Sequence, residues 1–479
     1  MNSILKKIRQ SDAFNKENRI PFTKAVLLMS LFTFTFLGAE FLFVDMISRI
    51  VSGNQSVSAQ NYALGISVIG FVLYPLFCRV CKGKLQSAVT MCAAILSVVC
   101  LFLICRRSTY TLTMGMGLLL FLILGAFGSA VFCKSLCLLG DNTFLARLVG
   151  VSYMLGILLQ IANNNLVHTV TFEAGILSAI ILLLAVTLVR SENNCIVPAF
   201  PKEKANEGSG ENGNGGIKIA VVLILFVALL TCIFSTLDNA VTLYHANGVV
   251  NIGQWPRILL ALSGLFAGFL FDMAGRKYMS MVMYCIMILS TTCFVVLEFA
   301  GPFTAGLIIF YLSAGFFAVF FTTSFMEIAL YTKMPELWAG LGRAVNNLVA
   351  AVITGGSLAL LNSGNNIAIT TIELILFVLA SVAAFIYTNM RRGFFEKLDA
   401  KDRNKLSDSE RLQKLSERFS LTPREAEVFG LLVNTEDGLQ TIADYLYVSR
   451  RTLERYVSAL YEKTGTKSRV GLVSLYNSI

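Results

Sequence analysis

The feature that most constrains this chain is its succession of long apolar runs. Crossing a bilayer as a helix takes about 20 predominantly apolar residues. Residues 22–44, 62–80, 86–105, 112–133, 145–167, 172–189, 218–243, 255–272, 279–298, 303–328, 339–361 and 367–388 each come close to that length. Runs of this kind must satisfy their own backbone groups, which a helix does and an open strand does not. The expected class is therefore all-α, a polytopic membrane protein with about twelve transmembrane helices. Composition agrees: 56% of residues are hydrophobic and 14% charged, against roughly 45–50% and about 25% in soluble domains.

A polar interruption separates the sixth run from the seventh. Residues 190–217 carry Lys202-Glu203-Lys204 and a stretch rich in Gly, Ser, Glu and Asn over 208–216, which reads as a flexible linker. The chain then divides into an N-terminal segment 1–21, a six-helix half 22–189, the linker, a second six-helix half 218–388, a connector helix 389–419 and a small C-terminal domain 420–479. The net charge of +10 is spread along the chain. Lys6, Lys7, Arg9, Lys16, Arg19 and Lys24 precede or open the first run, and Arg391 and Arg392 follow the last. Arg79, Lys82, Lys84, Arg276, Lys277 and Lys333 fall in alternate turns. Such an excess marks cytoplasmic loops, so both termini are expected there; Arg106-Arg107 is the departure. The N-terminal segment is long, basic and polar and lacks the pattern of a cleaved leader. The 11 cysteines lie mostly inside apolar runs, which argues against a disulfide framework.

Ionisable groups within spans are costly and mark functional positions. Four stand out: Glu40 in the first run, Lys134 at the end of the fourth, Asp238 in the seventh and Glu327 in the tenth. Asn163-Asn164-Asn165 and Asn346-Asn347 can bind a ligand or bond between helices. The halves also echo one another. Gly38-Ala39-Glu40 matches Thr236-Leu237-Asp238 in depth, and Ala146-Arg147-Leu148-Val149-Gly150 parallels Ala339-Gly340-Leu341-Gly342-Arg343. Paired halves of this type describe a large transporter class. The turn after the eighth run reads Gly268-Phe269-Leu270-Phe271-Asp272-Met273-Ala274-Gly275-Arg276-Lys277. Asp272 can cap or pair at helix ends, Gly275 permits a sharp turn, and Arg276 and Lys277 hold the turn inside.

This turn resembles the signature of the major facilitator superfamily. The resemblance implies a central cavity lined by the helices that carry Glu40, Lys134, Asp238 and Glu327. It also implies a gating role for Gly268, Asp272, Gly275, Arg276 and Lys277. The matching turn of the first half, Cys78-Arg79-Val80-Cys81-Lys82-Gly83-Lys84, lacks the aspartate.

The last sixty or so residues change character. Thr422 and Glu425 form a capping box with Pro423 at the first helical position, followed by an apolar face of Ala426, Val428, Phe429, Leu431 and Leu432 up to Asn434. Asp437-Gly438 turns into a second helix that buries Ile442, Ala443 and Leu446. Tyr447-Val448-Ser449 links to a third, with Ser449 as N-cap and Leu453, Val457 and Leu460 on its inner face. Scaffold helix, short turn and second helix follow the helix-turn-helix order. Residues 421–475 resemble the LuxR family of bacterial transcriptional regulators. That resemblance implies double-stranded promoter DNA as partner, binding as a homodimer, and RNA polymerase as a further contact. Carried over by position, Glu454, Arg455 and Ser458 face base edges. Arg451, Thr452, Lys467 and Arg469 meet phosphates, and Ser449 and Arg450 open the same helix. Glu454 stands where the family usually has lysine, and Tyr456 where it has histidine. Glutamate can accept from cytosine N4, and Arg455 suits guanine. The connector's Leu398, Leu406, Leu412 and Leu415 give a partial apolar face that could pair two copies.

No catalytic constellation is present, and no cofactor or metal is expected: Cys78 and Cys81 lack a second pair, and the chain has only 2 His. The sequence reads as a non-enzymatic, membrane-embedded one-component regulator in the bacterial inner membrane. It would sense a small molecule through a transporter-like domain and act on promoter DNA through its tail. The rival is a transporter or transceptor of the major facilitator type with a DNA-binding regulatory tail. A third possibility is a passive anchor for a constitutive DNA-binding domain.

Overall fold

In a computed structural model, the described residues are 16–106, 109–139, 144–167, 169–194, 215–246, 255–300, 303–332 and 334–477. They form two compact units, Met1–Arg392 and Gly393–Ile479. Lys6, Lys7, Arg9, Arg107, Lys333 and positions 195–214 of the linker lie outside the described residues.

The first unit consists of α1 (Lys16–Ser48), α2 (Gly53–Val80), α3 (Lys84–Cys105), α4 (Tyr110–Leu139), α5 (Leu145–Leu166), α6 (Val170–Asn194), α7 (Gly215–Ala246), α8 (Pro256–Phe271), α9 (Met279–Ala300), α10 (Phe303–Ala329), α11 (Pro335–Asn362) and the first part of α12 (Asn366–Arg418). Ten of these are long and apolar enough to cross a membrane, and Pro256–Phe271 and Met279–Thr291 are shorter apolar helices. No strand occurs among the described residues. Each expected run falls on one helix, and the main displacement is at α2, which begins at Gly53 and not at 62. The polar residues that interrupt the apolar run there, Gln60 and Asn61, are 7% and 3% exposed. They point into the bundle, where hydrogen bonds satisfy them, so the helix extends past them.

The two halves meet along α2 with α11 and along α5 with α8. The second seam requires glycine: a Cβ on Gly150 would lie 2.6 Å from the Gly264 carbonyl oxygen, and one on Gly268 would lie 2.7 Å from that of Ala146. Small residues let helix backbones approach to this distance inside a bilayer.

The second unit packs the end of α12 with α13 (Pro423–Asn434), α14 (Leu439–Tyr445), α15 (Arg450–Thr464) and α16 (Arg469–Asn477). Its core gathers Leu415, Val428, Phe429, Leu453, Leu460 and Leu472, each at most 1% exposed. Leu412 packs against the same core. Of the connector leucines expected to pair two copies, Leu412 and Leu415 are thus corrected, since they belong to the interior of their own domain; the side chain of Leu406 lies outside the described residues.

Candidate functional site

The first unit holds a partly open cavity of about 170 Å³. Helices of both halves supply its wall. Glu40 enters from α1, Gln60 and Asn61 from α2, Tyr153 from α5, Asp238 from α7, Arg257 from α8, Tyr311 from α10, and Arg343, Asn346 and Asn347 from α11. Phe234, Phe310, Phe317 and Phe321 supply aromatic wall, with the Phe234 and Phe317 rings stacked at 4.7 Å.

Several of these polar groups are tied to one another. Gln60 Nε2 donates to Glu40 Oε1 at 2.7 Å. Asn61 donates to Asn239 Oδ1 at 2.7 Å, and Asn239 to Ser357 Oγ at 2.9 Å. Asn347 donates to Ser67 Oγ at 2.9 Å. Gln160 Nε2 donates to the Leu37 carbonyl at 2.8 Å, and its Oε1 accepts from Arg257 at 2.5 Å. Arg343 lies between the Phe36 and Phe321 rings, 5.3 and 5.7 Å from their centroids.

Of the four ionisable residues expected to face a ligand, Glu40 and Asp238 line this cavity. Lys134 and Glu327 do not, and the expectation for them is corrected. Lys134 is 8% exposed and donates to the Leu188 carbonyl at 2.5 Å. Glu327 is 1% exposed and sits between two guanidiniums. Arg276 Nε reaches its Oε1 at 2.8 Å, and Arg391 grips both carboxylate oxygens, at 3.1 and 2.8 Å. Arg391 also donates to the Arg276 carbonyl at 2.8 Å. In sequence the basic pair after the last span looks like topology charge. Arg391 is instead 5% exposed and is the buried counter-ion of Glu327.

The same cluster explains the α8–α9 turn. Ala274, Gly275 and Arg276 have φ of 51°, 65° and 64°, a left-handed run that costs a non-glycine residue roughly 1–2 kcal/mol. The run turns the Arg276 side chain inward to Glu327 and to Asp272, 3.2 Å away. Asp272 accepts from the backbone N–H groups of Ala146 at 3.1 Å and Arg147 at 2.8 Å. Those are first-turn amides of α5, which have no partner within their own helix. A side chain of the second half thereby caps a helix of the first. Burial raises the Asp272 carboxyl above its usual value, and the Arg147 amide, Arg276 and the Ala146 amide offset part of that rise. Burial likewise works against the Arg276 charge, and Glu327 and Asp272 outweigh it, so the guanidinium is held above its usual value. Gly268 belongs to the packed seam, Gly275 to the turn, and Lys277 is exposed on it. In the first half the corresponding turn ends α2 at Cys81 and passes Gly83 at φ 57° without an acidic cap.

Arg257 and Arg343 are site residues that sequence reasoning misses. Arg257 follows a polar stretch and begins a short helix, so it resembles a flanking charge. Arg343 stands in the sequence only as the last residue of the Ala339–Arg343 echo of Ala146–Gly150. Its position well inside α11 is the available signal.

In the second unit the helix signals resolve as expected. The Thr422 side chain accepts from the Glu425 amide at 3.3 Å, and Glu425 Oε2 accepts from the Thr422 amide at 2.8 Å. Lys463 of α15 donates to the same carboxylate at 2.6 Å. These bonds, that from Lys463 first, hold the Glu425 carboxyl below its usual value. Ser449 caps α15 by accepting from the Thr452 amide at 3.2 Å. Leu453, Val457 and Leu460 are buried, while Arg451, Glu454, Arg455 and Ser458 are exposed on the opposite side. Arg450 pairs with Glu454 at 3.0 Å, and Ser458 Oγ donates to the Glu454 carbonyl. Lys467 is exposed on the loop before α16. Arg469 departs from its expected phosphate role: its guanidinium donates to the carbonyls of Leu432, Thr435 and Asp437. It ties the end of α13 to α16 and is occupied there.

Residues 419–476 match the family profile of bacterial regulatory proteins, luxR family. The membrane body is similar in fold to a major facilitator superfamily transporter, FucP, in the outward conformation, with a TM-score of 0.52 and 14% identity over 78% of this chain and 99% of that one. It is similar also to an auto-inhibited POT-family peptide transporter, with a TM-score of 0.52 and 11% identity over 78% of this chain and 96% of the other. No curated protein matches the chain. The chain is a fusion of a luxR-family helix-turn-helix DNA-binding domain, at residues 419–476, to a multi-pass membrane body with the major facilitator fold.

Proposed function

We propose that this protein is a one-component transcription regulator, not an enzyme, in which the membrane body detects a small molecule and the C-terminal domain acts on promoter DNA. The observation that carries the reading is the joining of a polar, ligand-sized cavity to a luxR-family domain in one chain. DNA lies on the cytoplasmic side, which fixes the C-terminus there, and an even number of spans brings the N-terminus to the same face. In a bacterium this is the inner membrane, with the bilayer as the body's solvent. Two copies of the domain would pair on DNA, where Arg451, Thr452 and Lys467 meet phosphates and Glu454, Arg455 and Ser458 face bases, with RNA polymerase as the downstream contact. A ligand shifts output only through unequal affinity for two arrangements of the halves.

The intact α8–α9 turn and the cavity favour one rival, a carrier that also regulates. Both readings are separated by measuring promoter activity and solute flux for the same protein. Regulation that follows Glu40→Ala or Asp238→Ala, with no saturable uptake in proteoliposomes, supports the sensor. Saturable uptake that persists after deletion of residues 409–479 sinks it in favour of the carrier. Promoter activity indifferent to every cavity substitution sinks both.

A further inference from the structure

The cavity has two acids, Glu40 and Asp238, and two arginines, Arg257 and Arg343. Glu40 is engaged by Gln60, and Arg257 by Gln160 and the face of Phe41. The other two charges are treated differently. Among the described residues, Arg343 meets two aromatic faces and no hydrogen-bond acceptor. Asp238 lines the same cavity with no hydrogen-bond donor upon it among the described residues, in the field of Glu40 and Arg257.

A guanidinium is a rigid fork of donors, and a ring face satisfies its charge but none of its N–H groups. The partner that fits it is a planar carboxylate. Asp238 calls for the reverse, a cation with N–H donors. The four side-chain charges of the cavity cancel, and in a low-dielectric chamber an added net charge is costly while a balanced pair is not. The wall also offers phenyl rings and aliphatic carbon from Leu37, Leu64 and Leu260, beside neutral polar groups such as Tyr153, Tyr311 and Asn346.

We propose, building on the sensor reading above, that the ligand is a small zwitterion of amino-acid type with an apolar side chain, its carboxylate on Arg343 and its ammonium on Asp238. The side chain rests against the Phe234 and Phe317 rings. Net neutrality of the cavity is what selects a zwitterion over a simple anion or a simple amine.

The test uses the full-length protein in lipid nanodiscs and calorimetric titration with two matched sets. One is L-phenylalanine, phenethylamine and 3-phenylpropanoate; the other is L-leucine, isopentylamine and 4-methylpentanoate. Within at least one set the amino acid is expected to bind about tenfold or more tightly than either single-charge analogue, as the loss of one charge-assisted contact requires. Arg343→Gln should abolish its advantage over the amine, and Arg343→Lys should restore part of it. Asp238→Asn should abolish its advantage over the acid. Equal binding of an analogue and its amino acid overturns the proposal, as does binding of none of the six compounds. Retained elution volume and retained promoter binding by each variant separate a lost contact from a lost fold. Zwitterion binding that leaves promoter activity unchanged refutes the sensor reading and leaves this site standing. A promoter response to a single-charge analogue alone does the reverse.

Discussion

Asp272→Asn should loosen the contact between the two halves at one defined place. The carboxylate accepts two α5 amides, one on each oxygen, at 3.1 and 2.8 Å. Asparagine offers a single acceptor, so one amide keeps its bond and the other faces an NH₂ group that can only donate. Leaving a buried N–H unsatisfied costs about 1–3 kcal/mol, and the charge-assisted contact with Arg276 is lost as well. Against this, removal of a buried carboxylate relieves the desolvation that raises its pKa. A net cost of about 2 kcal/mol corresponds to roughly a 30-fold shift toward separation at this seam.

Hydrogen exchange reads that shift directly. First-turn amides of α5 have no intrahelical acceptor, so protection at Ala146 and Arg147 reports on Asp272 alone. In the variant their exchange should accelerate by roughly 30-fold, while helices away from the seam keep their wild-type rates. Asp272→Ala, which removes both acceptors, should go further. Unchanged protection of the α5 start would refute the capping role, and a uniform acceleration throughout the body would show global destabilisation instead.

Three more outcomes follow from the same geometry. Glu327→Gln takes from Arg391 its buried counter-ion and leaves Arg276 with Asp272, and should lower stability by about 3–5 kcal/mol, seen as a lower unfolding temperature in detergent; adding Arg391→Gln should recover part of the loss. Arg455→Ala should cost about 1–3 kcal/mol of discrimination between promoter and unrelated DNA, whereas Arg469→Ala should lower the melting temperature of the domain and leave the salt dependence of binding nearly unchanged. The lowered pKa of Glu425 means that its stabilising bonds are fully present above its ordinary value of 4.5 and are lost as pH falls through the lowered folded value. Acid unfolding of the 393–479 fragment, followed by circular dichroism, should therefore set in at higher pH for Lys463→Met than for the wild type, because without the lysine the Glu425 carboxylate takes up its proton sooner.

How much of this is legible in sequence depends on whether a residue's chemistry matches its surroundings. The spans and the three helices at 423–464 can be read because apolar periodicity, caps and turns agree there. Glu40 and Asp238 stand out because an acid isolated inside an apolar run is too costly to keep without a task. Arg391 and Arg257 do not, because a basic residue at the edge of a span ordinarily marks topology. What distinguishes them is a partner far along the chain, Glu327 for one and Gln160 for the other. Arg469 is deceptive for a related reason. A basic residue in a DNA-binding domain suggests phosphate, and only the fold shows three carbonyls already around it.

The relative strength of the contacts at the Asp272 end decides how the body can move. Asp272 crosses between halves, holding α5 by two hydrogen bonds that water can replace once the seam opens. Glu327, Arg276 and Arg391 all belong to the second half, and breaking that buried set costs about 3–5 kcal/mol. When the halves part, the weaker contact yields first. The α8–α9 turn then leaves α5 while Arg276 remains fixed to Glu327 and, through it, to Arg391 on α12. The helix that runs on to Arg418 is thereby bound to the motion of the second half and not to that of the first. A substitution that cuts Arg391 from Glu327 should uncouple promoter output from cavity occupancy while Asp272 still caps α5, and an output that still follows the cavity in such a variant would show that α12 is not the moving part.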